Sequence, residues 1–274
     1  MKIAIVTGAS SGIGASYVCQ LAEKYSWLDE IWVIARNETA LWTLKRQCIV
    51  PLRVFAMDIT QTENLLRLEE ELEKVKPYVK YFVNAAGCGI NKKIKETDLM
   101  DCNRMLEVNC NALTLLTKIV LPYCGKRSRI VMLASASAFL PQPGFAVYAA
   151  SKSYVLSFSR ALRRELKKTG TTVTIVCPGP VDTPFLDTIG GKDSIPVIKR
   201  PFIMKTDKVV SVAIKDAAKG KELSIPGISM KCFFRICKIV PHKVLLNWGY
   251  CLLDDMRKDY ESKEKVINEQ KTIL

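Results

Sequence analysis

One histidine, His242, is all that 274 residues contain. A Ser-His-Asp hydrolase needs an imidazole within reach of a nucleophile and a carboxylate. His242 stands in the basic stretch "ICKIVPHKVLLNW" without such partners, so that chemistry is not supported and the residue reads as a surface or helix-cap histidine. Cysteine pairing is missing too. The ten cysteines are scattered, with no CxxC and no grouping with His or Asp at ligand spacing. No metal site is expected, and the thiols read as reduced, as in a cytoplasmic protein. Apolar runs stay far below the ~20 residues that a spanning helix needs. The nearest, "VLLNWGYCLL" at 244 to 253, has ten residues and contains Asn247 and Gly249. The opening "MKIAIVTGAS" enters a strand pattern directly, with no charged region followed by an apolar core, so no secretory signal is expected. Acidic residues are few: 27 Asp and Glu against 41 Lys and Arg leave a net charge of +14. Between 191 and 250 there are twelve basic residues and four acidic ones. Such an excess suits nucleic acid, an anionic membrane or anionic small molecules. Without a helix-turn-helix pattern or aromatic and basic residues interleaved on strands, nucleic acid is not expected as a partner.

What the chain does have is regular alternation. "KIAIVTG" (2 to 8), "EIWVIAR" (30 to 36), "LRVFAMD" (52 to 58), "YFVNAAG" (81 to 87), "RIVMLAS" (129 to 135) and "TVTIVCPG" (172 to 179) are β-branched runs that end in small or polar residues. They read as buried parallel strands. Helical patterns lie between them at 12 to 25, 38 to 47, 62 to 75, 100 to 123 and 148 to 168, the last stopped by Gly170. "ELSIPG" (222 to 227) reads as a seventh strand, and 228 to 274 as an amphipathic helical tail or a disordered end. Strict alternation predicts right-handed βαβ units, an α/β fold with a doubly wound parallel sheet in a single domain over 1 to 274. Ligands of such sheets bind beyond the carboxyl ends of the strands.

Two stretches there carry chemistry. "TGASSGIG" places Gly8, Gly12 and Gly14 between the first strand and the first helix, where backbone can approach a pyrophosphate and a helix N-terminus offers unpaired N–H groups. In "VYAASKSYV", Tyr148 and Lys152 are four apart and share a helix face. A phenol is a poor acid or base at neutral pH, and a fixed cation beside it favours the phenolate and eases proton exchange.

"TGASSGIG" (7 to 14), "NAAG" (84 to 87), Asn109 inside a helix, Ser135, "YAASK" (148 to 152) and "PGPVDT" (178 to 183) follow one another in order. On these motifs the chain resembles a short-chain dehydrogenase/reductase of the single-domain type, over about residues 2 to 227. The resemblance implies a Rossmann-like sheet flanked by helices and an NAD(P)-dependent oxidoreductase acting on CH–OH or carbonyl groups. It implies that Tyr148 exchanges the proton and that Lys152 holds the nicotinamide ribose. Ser135, rather than its neighbour Ser137, would bind the substrate oxygen, and Asn109 would hold a water joined to the lysine. Gly8, Ser10, Ser11, Gly12, Ile13 and Gly14 would cradle the cofactor, with Asp58 and Ile59 at the adenine. Asn84, Ala85 and Gly87 would pass close to it, and Pro178, Gly179, Val181 and Thr183 would lie at the nicotinamide end. Subunit contacts through the long helices, giving a homodimer or homotetramer, are implied in the same way.

Cofactor choice is read at the end of the second strand, where an acid selects NAD and an arginine accommodates a 2′-phosphate. Position 36 is Arg, so NADP(H) is preferred, with NAD(H) admitted. Glu38 stands close enough in sequence to pair with it. The segment of about 184 to 210 would form an apolar substrate loop through Phe185, Leu186, Ile189, Ile195, Val197, Phe202 and Met204, with Gly190 and Gly191 as hinges. It suggests a lipophilic ketone or secondary alcohol, such as a hydroxysteroid or bile acid, or else a 3-oxoacyl or medium-chain carbonyl. A non-catalytic NADP-binding regulator is the alternative of another class. The basic tail over 230 to 253 mixes Phe233, Phe234, Ile236, Ile239, Val240, Leu245 and Trp248 with cations, which suits peripheral contact with an anionic membrane, a wall of the pocket, or packing on the domain or on another subunit.

Overall fold

The computed structural model describes residues 1–189, 191 and 197–247. Gly190, Ile195, Trp248 and the rest of the tail lie outside the described residues. The first strand shows why the apolar runs become parallel strands: in β1 (Lys2–Thr7) every residue after Lys2 is wholly buried. Ile3 and Ile5 point to one apolar layer, Ala4 and Val6 to the other, as the two-residue period of a strand requires. A strand covered on both faces leaves no position for a polar alternate.

After β1 the chain runs through α1 (Gly12–Lys24), β2 (Glu30–Ala35), α2 (Glu38–Gln47), β3 (Leu52–Ala56), α3 (Thr62–Val75), β4 (Tyr78–Asn84), α4 (Leu99–Leu106), α5 (Leu113–Val120), β5 (Arg129–Leu133) and α6 (Ala146–Glu165). It continues through β6 (Thr172–Val176), β7 (Val181–Asp182), α7 (Pro184–Thr188), β8 (Met204–Lys205), α8 (Thr206–Ala218), β9 (Leu223–Ser224) and α9 (Ile228–Ile239). Among the described residues the main sheet has seven strands in the order β3-β2-β1-β4-β5-β6-β9, each pair parallel. The order reverses between β1 and β4, which opens a crevice at their carboxyl ends. One face is packed by Leu65, Leu68 and Leu72 of α3, Leu116 of α5, and Val155 and Leu162 of α6. The other is packed by Tyr17 and Leu21 of α1, Leu41 of α2, and Val210 and Ala213 of α8.

The structure departs from the sequence expectations in several places. The single helix expected over 100 to 123 is interrupted by a π-helical turn at Glu107–Ala112, centred on Asn109. Such turns recur at functional sites, where an extra residue re-aims a side chain. α6 starts at Ala146, and Gly170 follows its closing turn with a φ of +77°. The last residues assigned to a substrate loop belong to β8 and α8. β8 pairs with β7, and α8 buries Val209, Val210, Ala213, Ile214 and Ala217. The seventh strand is only two residues long.

Candidate active site

The glycine loop after β1 is built by close approach. A side chain at Gly8, whose φ is +65°, would start 2.9 Å from the backbone nitrogen of Ala86, and one at Gly14 only 2.1 Å from the Gly8 carbonyl oxygen. The loop thus lies against the end of β4 and delivers the start of α1 to the crevice. Ser11 caps α1 without a side-chain hydrogen bond, and the first turn carries no acid, so its amides are left for an anion. Gly8, Ser10, Ser11, Gly12, Ile13 and Gly14 line a cavity of about 750 Å³.

Along the same cavity the other strand ends contribute Arg36, Asp58, Ile59, Ala85 and Gly87, then Pro178, Gly179, Val181 and Thr183 beyond β6. Arg36 is exposed. Among the described residues no ion pair joins it to Glu38, which accepts the Trp42 indole hydrogen at 3.1 Å. The Asp58 carboxylate accepts from the Thr60 amide and hydroxyl at 3.0 and 2.8 Å. Asn84 does not border the cavity. Its buried amide accepts from the Thr7 hydroxyl at 3.0 Å and donates to the Leu113 carbonyl at 3.2 Å. The Thr7 oxygen in turn accepts from Ala85 and Ala86. Asn84 therefore fixes the end of β4 and positions the residues that do line the site.

Ser135, Tyr148 and Lys152 come together where β5 ends and α6 begins. Burial pushes the Tyr148 hydroxyl up to about 12, and a hydrogen bond with Ser135 works against that rise. The Lys152 ammonium lies 5.7 Å from the centre of the tyrosine ring and donates to the Leu133 carbonyl at 3.0 Å. Burial pulls it down to about 8. The Lys152 ammonium thus stands beside the phenol, where a fixed cation favours the phenolate. Ser137 lines the cavity as well. Its buried hydroxyl has no partner among the described residues, and its amide donates to Ser135 at 3.2 Å.

Asn109 is wholly buried behind this group. Its Oδ1 accepts from the Cys88 amide at 3.0 Å, and its Nδ2 donates to the Cys88 carbonyl at 2.8 Å and to the Ser151 hydroxyl at 2.9 Å. Both side-chain amide hydrogens are spent, so a water at Asn109 would be met by the remaining lone pair of Oδ1 or by the main-chain carbonyl. Asn109 does not touch the cavity; it holds the Gly87–Cys88 backbone in place beside Lys152. Asn109 Oδ1 and Lys152 Nζ would each lie 3.1 Å from a side chain started at Gly87.

The far half of the cavity is apolar, walled by Phe145, Phe185, Leu186, Ile189, Phe202 and Met230. Phe185 and Phe145 flank the Tyr148 ring at 5.6 and 5.5 Å between centroids. Met204, expected in this wall, stays out of it in β8. Met230 and Phe233 line the cavity as one reading of the 230 to 253 tail had it, and Val108, Phe145, Cys88, Asn91, Arg104 and Gln142 line it without having been assigned there. Met230 and Phe233 come from α9, while Phe234 packs on Phe139 at 4.6 Å, so that helix both rests on the domain and closes the pocket.

A dinucleotide suits these residues: a glycine ledge that a Cβ would block, uncapped helix amides, and a guanidinium at the end of β2. The sequence matches the short chain dehydrogenase family over residues 2–193. An uncharacterised oxidoreductase of Staphylococcus epidermidis is 33% identical over 188 residues, covering 68% of this chain and 80% of the relative. Sulfoacetaldehyde reductase 2 of Chromohalobacter salexigens is 32% identical over 189 residues, covering 67% and 74%. Among solved structures, a short-chain dehydrogenase from Sphingobium yanoikuyae in complex with NADPH superposes with a TM-score of 0.74 at 24% identity, covering 96% of each chain. With the family matched over most of its length and the motifs gathered at one crevice, the chain belongs to the short-chain dehydrogenase family and is an oxidoreductase.

Proposed function

We propose that this chain transfers hydride between NADP(H) and a lipophilic ketone or secondary alcohol, with hydroxysteroids and bile acids among the candidates. The observation that carries it is one cavity in which Ser135, Tyr148 and Lys152 stand between a glycine ledge and a wall of aromatic and aliphatic side chains. A bound nicotinamide supplies or accepts the hydride. Ser135 donates to the substrate oxygen where negative charge develops. Tyr148, protonated at neutral pH, gives its proton to that oxygen in reduction and takes one back in oxidation. Lys152 binds the ribose hydroxyls and holds positive charge beside the phenol as the proton leaves. Asn109 acts through Cys88 and Gly87 as a positioning residue. Arg36 favours the 2′-phosphate, since its guanidinium is exposed on the cavity's edge and no acid replaces it.

Initial rates with NADPH and NADH, against ketosteroids, keto bile acids and 3-oxoacyl thioesters, test this proposal. Turnover of a bulky ketone with NADPH well ahead of NADH is expected. Equal rates with both cofactors would remove the preference, and failure of every lipophilic carbonyl would remove the substrate class.

Ile228, Ile236 and Ile239 of α9 remain exposed beside Lys231 and Lys238, which supports peripheral contact with an anionic membrane. Co-sedimentation with phosphatidylserine vesicles that is lost on removing residues 228 onward is the expected result. Recovery of the full chain in the supernatant would contradict it.

A further inference from the structure

The loop that leaves β4 follows the reacting groups closely. A side chain at Gly87 would start 3.1 Å from Lys152 Nζ, and one at Gly89 only 2.7 Å from Cδ2 of Tyr148 and 2.8 Å from Cζ of Phe185. Two residues further, Asn91 reaches the turn that leads into α6. In that turn the Phe145 amide donates to the Gln142 carbonyl at 3.0 Å across Pro143 and Gly144, and Gly144 has a φ of +80°. Proline followed by a left-handed glycine is what a type II turn asks for. A Cβ on Gly144 would start 2.8 Å from the side-chain amide oxygen of Asn91, so the bare glycine leaves room for that amide. Asn91, Gln142 and Phe145 all border the cavity, and the Phe145 ring lies 5.5 Å from that of Tyr148. The Asn91 amide therefore stands at the Tyr148 end of the cavity, beside the aromatic wall. It is half-buried, and among the described residues no hydrogen bond engages its side chain.

We infer that Asn91 is a specificity-determining residue, which hydrogen-bonds a second, neutral oxygen of the substrate: a hydroxyl or keto group remote from the reacting carbonyl. This rests on the proposal that the same cavity takes a lipophilic carbonyl compound. A primary amide both donates and accepts, so it can meet a hydroxyl in either sense and a ketone through its N–H. A plain hydrocarbon body filling the pocket would strip water from that amide and leave it unpaired, at a cost in affinity. A site that pairs a substrate hydroxyl in this way rejects the analogue that lacks it.

The test is direct binding to the NADP⁺-loaded enzyme by calorimetry. Dihydrotestosterone, epiandrosterone and hydroxylated keto cholanoates would each be compared with the same ketone lacking the hydroxyl, for wild type, Asn91→Leu, Asn91→Ala and Asn91→Asp. In at least one pair the hydroxy ketone should bind about tenfold or more tighter than its deoxy partner. That ratio should collapse in Asn91→Leu, which keeps the volume and removes the amide, and in Asn91→Ala, which removes it without bulk. It should survive in part in Asn91→Asp, which keeps the acceptors. Equal affinity within every pair that binds, or a ratio that persists in Asn91→Leu or Asn91→Ala, overturns the assignment. Turnover with NADPH is measured separately. Hydroxy ketones held through Asn91 but never reduced would leave the assignment standing and sink the oxidoreductase proposal for these ketones. Reduction without any preference for the hydroxy ketone would do the reverse, and binding of no ketone at all would sink both.

Discussion

Tyr148 keeps its proton firmly because it is desolvated, and Lys152 gives its proton up early for the same reason. The lysine makes a prediction about stability. An unfolded lysine stays charged to about 10.5, and the folded one only to about 8. Between those values the unfolded chain binds more protons, so unfolding becomes harder as pH rises through this window. Denaturant melts of the cofactor-free protein should therefore show wild type gaining on Lys152→Met by up to about 3 kcal/mol between pH 8 and 10.5. A constant difference would mean that Lys152 is not desolvated. The two serines separate in the same spirit. Ser135→Ala should lower kcat by about 10²–10³, because it removes the donor aimed at the developing charge. Ser137→Ala removes a buried hydroxyl that has no partner among the described residues and should leave stability unchanged or raised by about 1 kcal/mol, read by thermal melts. A kcat loss in Ser137→Ala matching that of Ser135→Ala would reverse the assignment.

Secondary elements place these groups, and they differ in how far the sequence announces them. β1, β2 and β4 were legible because a strand buried on both faces must be a continuous apolar run. α8 carried a readable helical spacing in Val209, Val210, Ala213 and Ile214, but its first turn was given to a loop ending at about 210 and the rest was assigned no element. The π-helical turn had no local signal. It is tied to Asn109 reaching Cys88, twenty-one residues away, and no window of sequence contains that pairing. Asn109→Ala should therefore cost about 2–3 kcal/mol and speed hydrogen exchange at the Cys88 amide, which loses its acceptor. Unchanged exchange at Cys88 would show that the clamp is not what holds the turn. Gly14→Ala acts on the first element: a Cβ 2.1 Å from the Gly8 carbonyl must push the loop out of shape. Loss of NADPH binding with a lowered melting temperature is the expected outcome, checked by cofactor titration.

At the scale of the whole molecule, the site is assembled from residues as distant as Gly8 and Phe233. Motif residues such as Gly8, Asp58, Ser135 and Pro178 were found because they follow the ends of strands, and Tyr148 and Lys152 because four residues separate them on one helix. For Met230 and Phe233 the wall was one of several readings of the tail, because the choice depends on where α9 docks, which periodicity does not encode. Removing residues 228 onward should open the pocket, weaken binding of bulky ketones and destabilise the domain by about 2–5 kcal/mol through loss of the Phe233 and Phe234 contacts. Unaltered ketone affinity in the truncated chain would mean that α9 is no part of the substrate site. Leu99, Met100 and Leu106 of α4 and Tyr154 of α6 are exposed apolar side chains on helices proposed to join subunits. Sedimentation velocity should find a dimer or tetramer, and a monomer at micromolar concentration would contradict that proposal. The account turns most directly on single-turnover oxidation of NADPH by a bulky ketone, compared between wild type and Tyr148→Phe at saturating cofactor. It predicts rapid turnover in wild type and a fall of about 10²–10⁴ in the variant, with NADPH still bound. A variant as fast as wild type would contradict Tyr148 as the proton donor.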